Sequence, residues 1–109
     1  MKSFNIYIKN RLILEINNLN KNLKILVTGG AGFIGGCLIR RLLNETNSTI
    51  FNLDNLSYAS DLTSIEDCKN RQNHILLKVD LSNYQETEKA VLKANPDLII
   101  HLAAESHVD

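Results

Sequence analysis

The chain has 109 residues, 44% of them hydrophobic and 22% charged, and its formal net charge at pH 7 is zero. That length suits one small domain, the charge balance leaves no basic stripe of the kind that binds nucleic acid, and no run approaches the roughly 18 apolar residues of a membrane span. The two cysteines, Cys37 and Cys68, lie in no C-x-x-C or disulfide-dense pattern. We therefore expect a cytoplasmic α/β or α+β domain with reduced thiols that contacts neither nucleic acid nor membrane.

Residues 1–23 differ from the rest of the chain because they contain six asparagines, which disfavour a helix. Apolar residues nevertheless fall on one helical stripe, which consists of Ile8, Leu12, Ile16, Leu19 and Leu23. The segment could be an extra packing helix, a helix that binds a partner, or an extension without a role. We predict an amino-terminal extension, 1–23, and favour the first or the last of these alternatives.

From residue 24 the chain alternates short apolar runs with helix-like segments. The runs cover residues 25–27, 49–53, 75–79 and 98–102, and their near-continuous apolar character is typical of strands covered on both faces of a parallel sheet. Helices are predicted at 33–44, around Leu62, Ile65 and Cys68, and after residue 82. We predict that residues 24–109 form an incomplete Rossmann fold: a parallel sheet of about four strands, order 3-2-1-4, with flanking helices.

The last of these helices has the clearest boundaries. Ser82 and Gln85 have the spacing of a capping box, in which each side chain accepts the backbone N–H of the other residue. Pro96 disfavours helical geometry at Asn95, so the helix should end there. We predict that Ser82 caps this helix and that the fourth strand begins soon after Pro96.

Three glycines follow the first apolar run with the spacing G-x-x-G-x-x-G: Gly29, Gly32 and Gly35. A dinucleotide-binding turn needs glycine for the tight turn, for close approach of the backbone to a pyrophosphate, and for close packing of helix on strand. The N–H groups that open the following helix also favour an anion. The motif alone is only suggestive, since many glycine-rich turns are purely structural.

An acidic residue about 20 positions beyond the glycines is expected to bind the adenosine ribose, and Asp54 lies 19 positions after Gly35. Its carboxylate can accept both ribose hydroxyls and would repel a 2′-phosphate, and no Arg or Lys lies between Asn55 and Cys68 to offset that charge. We therefore predict NAD rather than NADP. The alternative is that Asp54 only starts a turn.

Two further strand ends could contact a dinucleotide. Asp80 follows the third run, where it could bind the adenine amino group with Leu81 beside the ring, or could serve only as a turn residue. Ala103 and Ala104 follow the fourth run and would let a ribose pass close to the backbone. Among the histidines, His74 and His101 are predicted to be structural, and the role of His107 is left open.

Three segments carry a resemblance to a known family: residues 28–35 (Thr-Gly-Gly-Ala-Gly-Phe-Ile-Gly), 53–59 (Leu-Asp-Asn-Leu-Ser-Tyr-Ala) and 101–109 (His-Leu-Ala-Ala-Glu-Ser-His-Val-Asp). Together they resemble the amino-terminal part of the dTDP-glucose 4,6-dehydratases, extended short-chain dehydrogenases/reductases of the NAD-dependent epimerase/dehydratase family. The resemblance covers residues 24–109. The third segment is the most specific, because sugar-nucleotide epimerases resemble the first two and usually differ there.

The resemblance implies an NAD site whose contacts follow the chain in order: pyrophosphate, adenosine, adenine and then the nicotinamide ribose. Ser106 would also lie near a dTDP-glucose-like sugar nucleotide. The family usually has Lys where this chain has Asn55, which weakens one implied adenosine contact. The implied cofactor-binding residues are Gly29, Gly32, Phe33, Ile34, Gly35, Asp54, Asn55, Leu56, Ser57, Asp80, Leu81, Leu102, Ala103, Ala104, Glu105 and Ser106.

Members of this family oxidise the sugar at C4, eliminate water across C5 and C6 and return the hydride to C6, with a Tyr-x-x-x-Lys pair supplying the base. None of the three tyrosines has Lys four positions later, since Arg11, Leu62 and Glu88 stand there. We therefore expect the NAD-binding portion of a homodimeric lyase, a fragment inactive by itself, with no catalytic or metal-binding residue of its own. The alternatives are a stand-alone nucleotide-binding module, a non-functional relic, or part of a related epimerase.

Overall fold

The computed structural model describes residues 2–29, 33–55 and 71–102. In these ranges the chain forms three helices and four strands. They are α1 (Lys2–Leu19), β1 (Leu23–Thr28), α2 (Phe33–Glu45), β2 (Ser48–Asp54), β3 (His74–Lys78), α3 (Tyr84–Ala94) and β4 (Leu98–His101). All four predicted strands are present, as is the predicted helix after the glycines. The predicted helix around Leu62, Ile65 and Cys68 lies outside the described residues.

The four strands form one parallel sheet in the order β3-β2-β1-β4. The chain winds outward from β1 through β2 to β3 and then returns to the other side of β1, so the direction of winding reverses between β1 and β4. This is the strand order of a Rossmann fold, and it confirms the predicted fold class. Open α/β sheets bind ligands at the carboxyl ends of the strands where such a reversal occurs, and here those strands are β1 and β4.

The sheet carries a separate apolar layer on each face. Residues of β1 alternate between the two, because Ile25 and Val27 pack with α1 and α2, whereas Leu26 packs with α3. These three side chains are completely buried. A central parallel strand is covered on both faces, which explains why β1 reads as a continuous apolar run instead of alternating with polar residues.

The start of α3 corrects the predicted cap. Asn83, not Ser82, is the N-cap residue, and its side-chain oxygen accepts the backbone N–H of Glu86 at 3.0 Å. Ser82 instead donates its hydroxyl to the carboxylate of Asp80 at 2.7 Å. The capping-box prediction is wrong because Asp80 engages the Ser82 hydroxyl in the preceding turn, which leaves the next residue to cap the helix.

The end of α3 is as predicted. The helix ends at Ala94, and Asn95 adopts the left-handed conformation with φ of 48°. Its backbone N–H donates to the carbonyl of Val91 at 2.9 Å, which satisfies one of the last helical carbonyls. Asparagine tolerates this conformation better than most residues, so the position ends the helix and redirects the chain toward β4.

The amino-terminal segment forms a regular helix despite its asparagines. Ile13 and Ile16 of α1 are buried in the core shared by α2 and β1, and Leu12 packs against that core. Leu19, which belonged to the predicted apolar stripe, is exposed. Packing of one face therefore outweighs weak helix propensity, and the buried stripe is rotated from the predicted one.

Candidate functional site

The carboxyl ends of the four strands form one edge of the sheet. Thr28 of β1 pairs in register with Leu53 of β2 and His101 of β4, and Asp54 of β2 pairs with Lys78 of β3. Because all four strands are parallel, the segments that leave them also start from this edge. We call it the carboxyl edge, and several of the residues predicted to bind a dinucleotide lie on it.

The glycine turn starts at this edge. Gly29 has a positive φ of 75°, where a Cβ would be strained, and its N–H donates to the carbonyl of Leu53 at 2.9 Å. The chain is already helical at Phe33, and Gly35 is buried in the first turn of α2. The first turn of α2 therefore follows the end of β1 closely. The N–H groups that open a helix have no intrahelical partner, so an anion would be stabilised at this end of α2.

Asp54 lies at the end of β2 on the same face of the sheet as α2. Side chains alternate along a strand, and Ile50, four residues earlier, packs into the core beneath α2. Asp54 is 8% exposed, while the neighbouring Asn55 is exposed. The structure therefore brings the Asp54 carboxylate, Gly29 and the first turn of α2 to one face of the carboxyl edge, which is the arrangement that a pyrophosphate and its adjoining ribose require.

The segment after β3 forms a tight turn around Asp80. Its carboxylate accepts both the backbone N–H of Ser82 at 3.0 Å and the Ser82 hydroxyl, and these bonds hold the pKa of Asp80 below its ordinary value. The Asp80 carbonyl accepts the N–H of Asn83 at 2.8 Å. Leu81 packs against the core beneath α3. These bonds make Asp80 a turn residue, which was one of the two roles considered from the sequence. Its contact with adenine stays a prediction.

A hydroxyl that the sequence prediction did not include joins β1 to β4. Thr28 is buried, and its Oγ1 lies 2.5 Å from Nδ1 of His101 and accepts the N–H of Leu102 at 3.2 Å. The Leu102 N–H also points to the Thr28 carbonyl at 3.0 Å. The sequence signal that could have indicated this contact is the polar residue Thr28 at the end of an apolar run, directly before the glycines. These bonds fix the direction in which the chain leaves β4.

Only part of the predicted site can be placed. Gly32, Leu56, Ser57, Ala103, Ala104, Glu105 and Ser106 lie outside the described residues, and for Phe33 and Ile34 only the helical backbone is described. His74, predicted to be structural, is buried with its Nε2 3.3 Å from Nδ2 of Asn52. The described residues that the structure brings to the carboxyl edge are Gly29, Gly35, Asp54, Asn55, Asp80, Leu81 and Leu102.

Other candidate sites find little support within the described ranges. No group of three or more His, Cys, Asp or Glu residues there could hold a metal ion, and none of the helices there could cross a membrane. Cys37 is a free thiol. A polar cleft of about 360 Å³ is lined by Asn17, Lys21, Asn47 and their neighbours. It lies at the amino ends of β1 and β2, at the opposite end of the strands from Gly29.

Comparison with known proteins identifies the family. Residues 26–109 match the family described as GDP-mannose 4,6 dehydratase. The dTDP-glucose 4,6-dehydratase of Haemophilus influenzae is 42% identical over 87 residues, which are 80% of this chain and 26% of that protein. The chain thus spans about a quarter of the length of the curated relatives it matches.

Solved structures agree with the sequence matches. The dTDP-glucose 4,6-dehydratase of Bacillus anthracis, determined in complex with NAD, has a TM-score of 0.70 and 32% identity, covering 77% of this chain and 27% of that one. The UDP-glucuronic acid 4-epimerase of Bacillus cereus, in complex with UDP-glucuronic acid and NAD, has a TM-score of 0.67 and 29% identity, covering 79% and 28%. These matches confirm the resemblance to dTDP-glucose 4,6-dehydratases that the three sequence segments indicated. The chain belongs to the GDP-mannose 4,6 dehydratase family.

Proposed function

We propose that this chain is the NAD-binding portion of a dTDP-glucose 4,6-dehydratase-like enzyme. The observation that carries the proposal is the position of Asp54, buried at the end of β2 on the same face as the Gly29 turn and the first turn of α2. A carboxylate there can accept the two hydroxyls of an adenosine ribose while the helix amides hold the pyrophosphate.

The described residues fit an NAD molecule in two respects. Gly29 has a backbone conformation that a Cβ would strain, so the turn keeps the backbone open to phosphate oxygens. Asp54 presents a negative charge where NADP would place a 2′-phosphate. Bound NAD would supply a hydride acceptor, while this chain's own residues would bind and orient it. Gly32, the residues at 56–57 and 103–106, and the Asp80 contact with adenine belong to the same proposal.

The reaction of the complete enzyme is proposed from its relatives. We expect oxidation of a dTDP-glucose-like sugar nucleotide at C4, elimination of water across C5 and C6, and return of the hydride to C6. Residues 1–109 contain no Tyr-x-x-x-Lys pair. We therefore expect this chain to bind NAD without turning over sugar nucleotide, and we propose a cytoplasmic, homodimeric complete enzyme.

The test is a calorimetric titration of the chain with NAD and with NADP, repeated on Asp54→Asn. Hydrogen bonds to a charged group contribute about 1.5–3 kcal/mol, so the substitution should lower the affinity for NAD by about tenfold or more. It should also reduce the ratio of the affinity for NAD to the affinity for NADP. Glu88→Gln, which removes a charge from exposed α3, is the matched control and should change neither affinity. An unchanged ratio of NAD to NADP affinity in Asp54→Asn would remove Asp54 from the ribose role.

A sugar-nucleotide epimerase is the second candidate, because the Bacillus cereus 4-epimerase shares the fold at 29% identity. The segment His-Leu-Ala-Ala-Glu-Ser-His-Val-Asp at 101–109 favours a dehydratase. The substrate distinguishes the two: protein that also contains the Tyr-x-x-x-Lys pair should convert dTDP-glucose to a 4-keto-6-deoxy product. Formation of a C4 epimer would instead support the epimerase. A stand-alone binding module predicts NAD binding by the 109 residues and no product from any longer form.

A further inference from the structure

β4 is an outer strand of the sheet. It pairs with β1 on one side, and none of the described strands lies on its other side. The N–H and C=O groups of successive residues in a strand point to opposite edges. The N–H of Leu102 donates to the carbonyl of Thr28 on β1 at 3.0 Å. The backbone groups of His101 and Ile99, one and three residues earlier, therefore point away from β1. We call the outer side of residues 97–101 the β4 edge.

The β4 edge lacks the features that normally protect an outer strand from association. The strand residues, Leu-Ile-Ile-His at 98–101, include no Lys, Glu, Asp or Pro, whereas the other outer strand, β3, ends in Lys78. Ile99 is 52% exposed, and Leu98 and Ile100 are half-buried. An unprotected apolar edge of this kind is a template for pairing with another strand.

The β4 edge is complementary to itself when its direction is reversed. In an antiparallel pair centred on Ile99, this residue lies opposite Ile99 of a second copy, and the two exchange both N–H···O bonds. Leu98 lies opposite Ile100 of the second copy, so the apolar layer beneath α1 and α2 continues from one sheet into the other. Asp97 lies opposite His101 of the second copy, once at each end of the pair.

The two end positions also match in their chemistry. Asp97 and His101 are both exposed. Nδ1 of His101 lies 2.5 Å from Oγ1 of Thr28, so Nε2 is the ring nitrogen that remains for another partner. Oδ2 of Asp97 accepts the backbone N–H of Lys24 at 2.9 Å, and a carboxylate has acceptor capacity beyond one such bond. A carboxylate and an imidazole therefore meet at both ends of the pair.

We propose that the β4 edge is a homodimer interface, through which two copies of this chain join their sheets into one continuous sheet around a two-fold axis at Ile99. A second copy fits this edge because its backbone, apolar and polar positions each meet their complement in the same edge reversed, as a two-fold interface requires. The inference concerns the 109-residue chain and is independent of NAD binding at the carboxyl edge.

Sedimentation equilibrium of the full chain measures this association. A pair of such short strands buries little area, so we expect a weak dimer with a dissociation constant on the order of 10–100 μM. Ile99→Lys places two like charges directly opposite each other on the axis and should weaken the dimer by about tenfold or more. Ile75→Lys is the matched control, because Ile75 is also a part-exposed isoleucine on an outer strand, and it should leave the dimer unchanged.

The position of the axis is tested by mixing two variants. Ile99→Glu should weaken the dimer as Ile99→Lys does, whereas an equimolar mixture of the two should form a heterodimer tighter than either variant alone. Ile99 is more than half exposed, so circular dichroism should show that both variants keep the wild-type fold. The wild-type measurement does not depend on any variant folding.

Three results would overturn the proposal. The first is a wild-type chain that stays monomeric at concentrations several times the expected dissociation constant. The second is an Ile75→Lys variant that loses as much association as Ile99→Lys, which would indicate β3 as the interface. The third is a mixture of Ile99→Lys and Ile99→Glu that associates no better than its separate components.

Discussion

The cap of α3 is the first prediction to test, because the sequence pattern points to Ser82 and the structure shows Asn83. Oδ1 of Asn83 accepts the backbone N–H of Glu86 at 3.0 Å, whereas the Ser82 hydroxyl donates to the carboxylate of Asp80 at 2.7 Å. Asn83→Ala leaves the Glu86 N–H without its side-chain acceptor. Losing such a cap typically costs about 1 kcal/mol of folding free energy.

That loss of folding free energy should lower the thermal midpoint by a measurable amount. For a domain near 100 residues, 1 kcal/mol corresponds to about 4–8 °C in the thermal midpoint. The effect should be fully expressed here, since α3 buries only the small side chains of Ala90 and Ala94 and so has little packing to compensate. Thermal unfolding followed by circular dichroism is the assay, under conditions where unfolding is reversible.

Two controls make the result decisive. Asn83→Asp keeps an oxygen acceptor at the cap and should have a midpoint close to that of the wild type. Ser82→Ala should lower the midpoint clearly less than Asn83→Ala does. If Ser82→Ala instead costs more, the capping box predicted from the sequence is correct and the observed cap geometry is refuted.

Two further predictions concern the carboxyl edge. Gly29→Ala places a Cβ on a residue with positive φ, so it should cost about 1 kcal/mol of stability and lower the affinity for NAD measured by calorimetry. The control is Asn95→Ala, which also lies at a positive φ but at the amino end of β4, and it should leave the affinity for NAD unchanged. Equal losses of affinity in the two variants would refute a specific role for Gly29. Ser82→Ala should raise the pKa of Asp80 toward its ordinary value, because the Ser82 hydroxyl is the main cause of its depression. Because the pKa of Asp80 is depressed in the folded protein, its ionised carboxylate stabilises the fold above the ordinary pKa, and this stabilisation is lost as the pH falls through the depressed pKa. Carboxyl NMR titration between about pH 2 and pH 6 should show the Asp80 midpoint at a higher pH in Ser82→Ala than in the wild type. An unmoved midpoint would contradict this.

The sequence was sufficient to locate those residues of the candidate site that lie at the ends of strands. Gly29 follows β1 and Asp54 is the last residue of β2. Parallel strands bring their carboxyl ends to a single edge, so both residues had to lie there once the strands were recognised. The link between Thr28 and His101 was not predictable. It depends on which side chains on β1 and β4 meet across the sheet, and they are more than 70 positions apart in sequence.

The sequence by itself determined the number and order of the strands, the α2 helix, the reversal of winding and hence the edge at which a dinucleotide would bind. Apolar runs, glycines and Pro96 set these features through local sterics and burial. The tertiary structure alone decided that Asn83 and not Ser82 caps α3, and that α1 is a docked helix instead of a loose extension. Both depend on which partner is within reach. Asp80 engages the Ser82 hydroxyl, and the core shared by α2 and β1 buries Ile13 and Ile16 of the asparagine-rich α1.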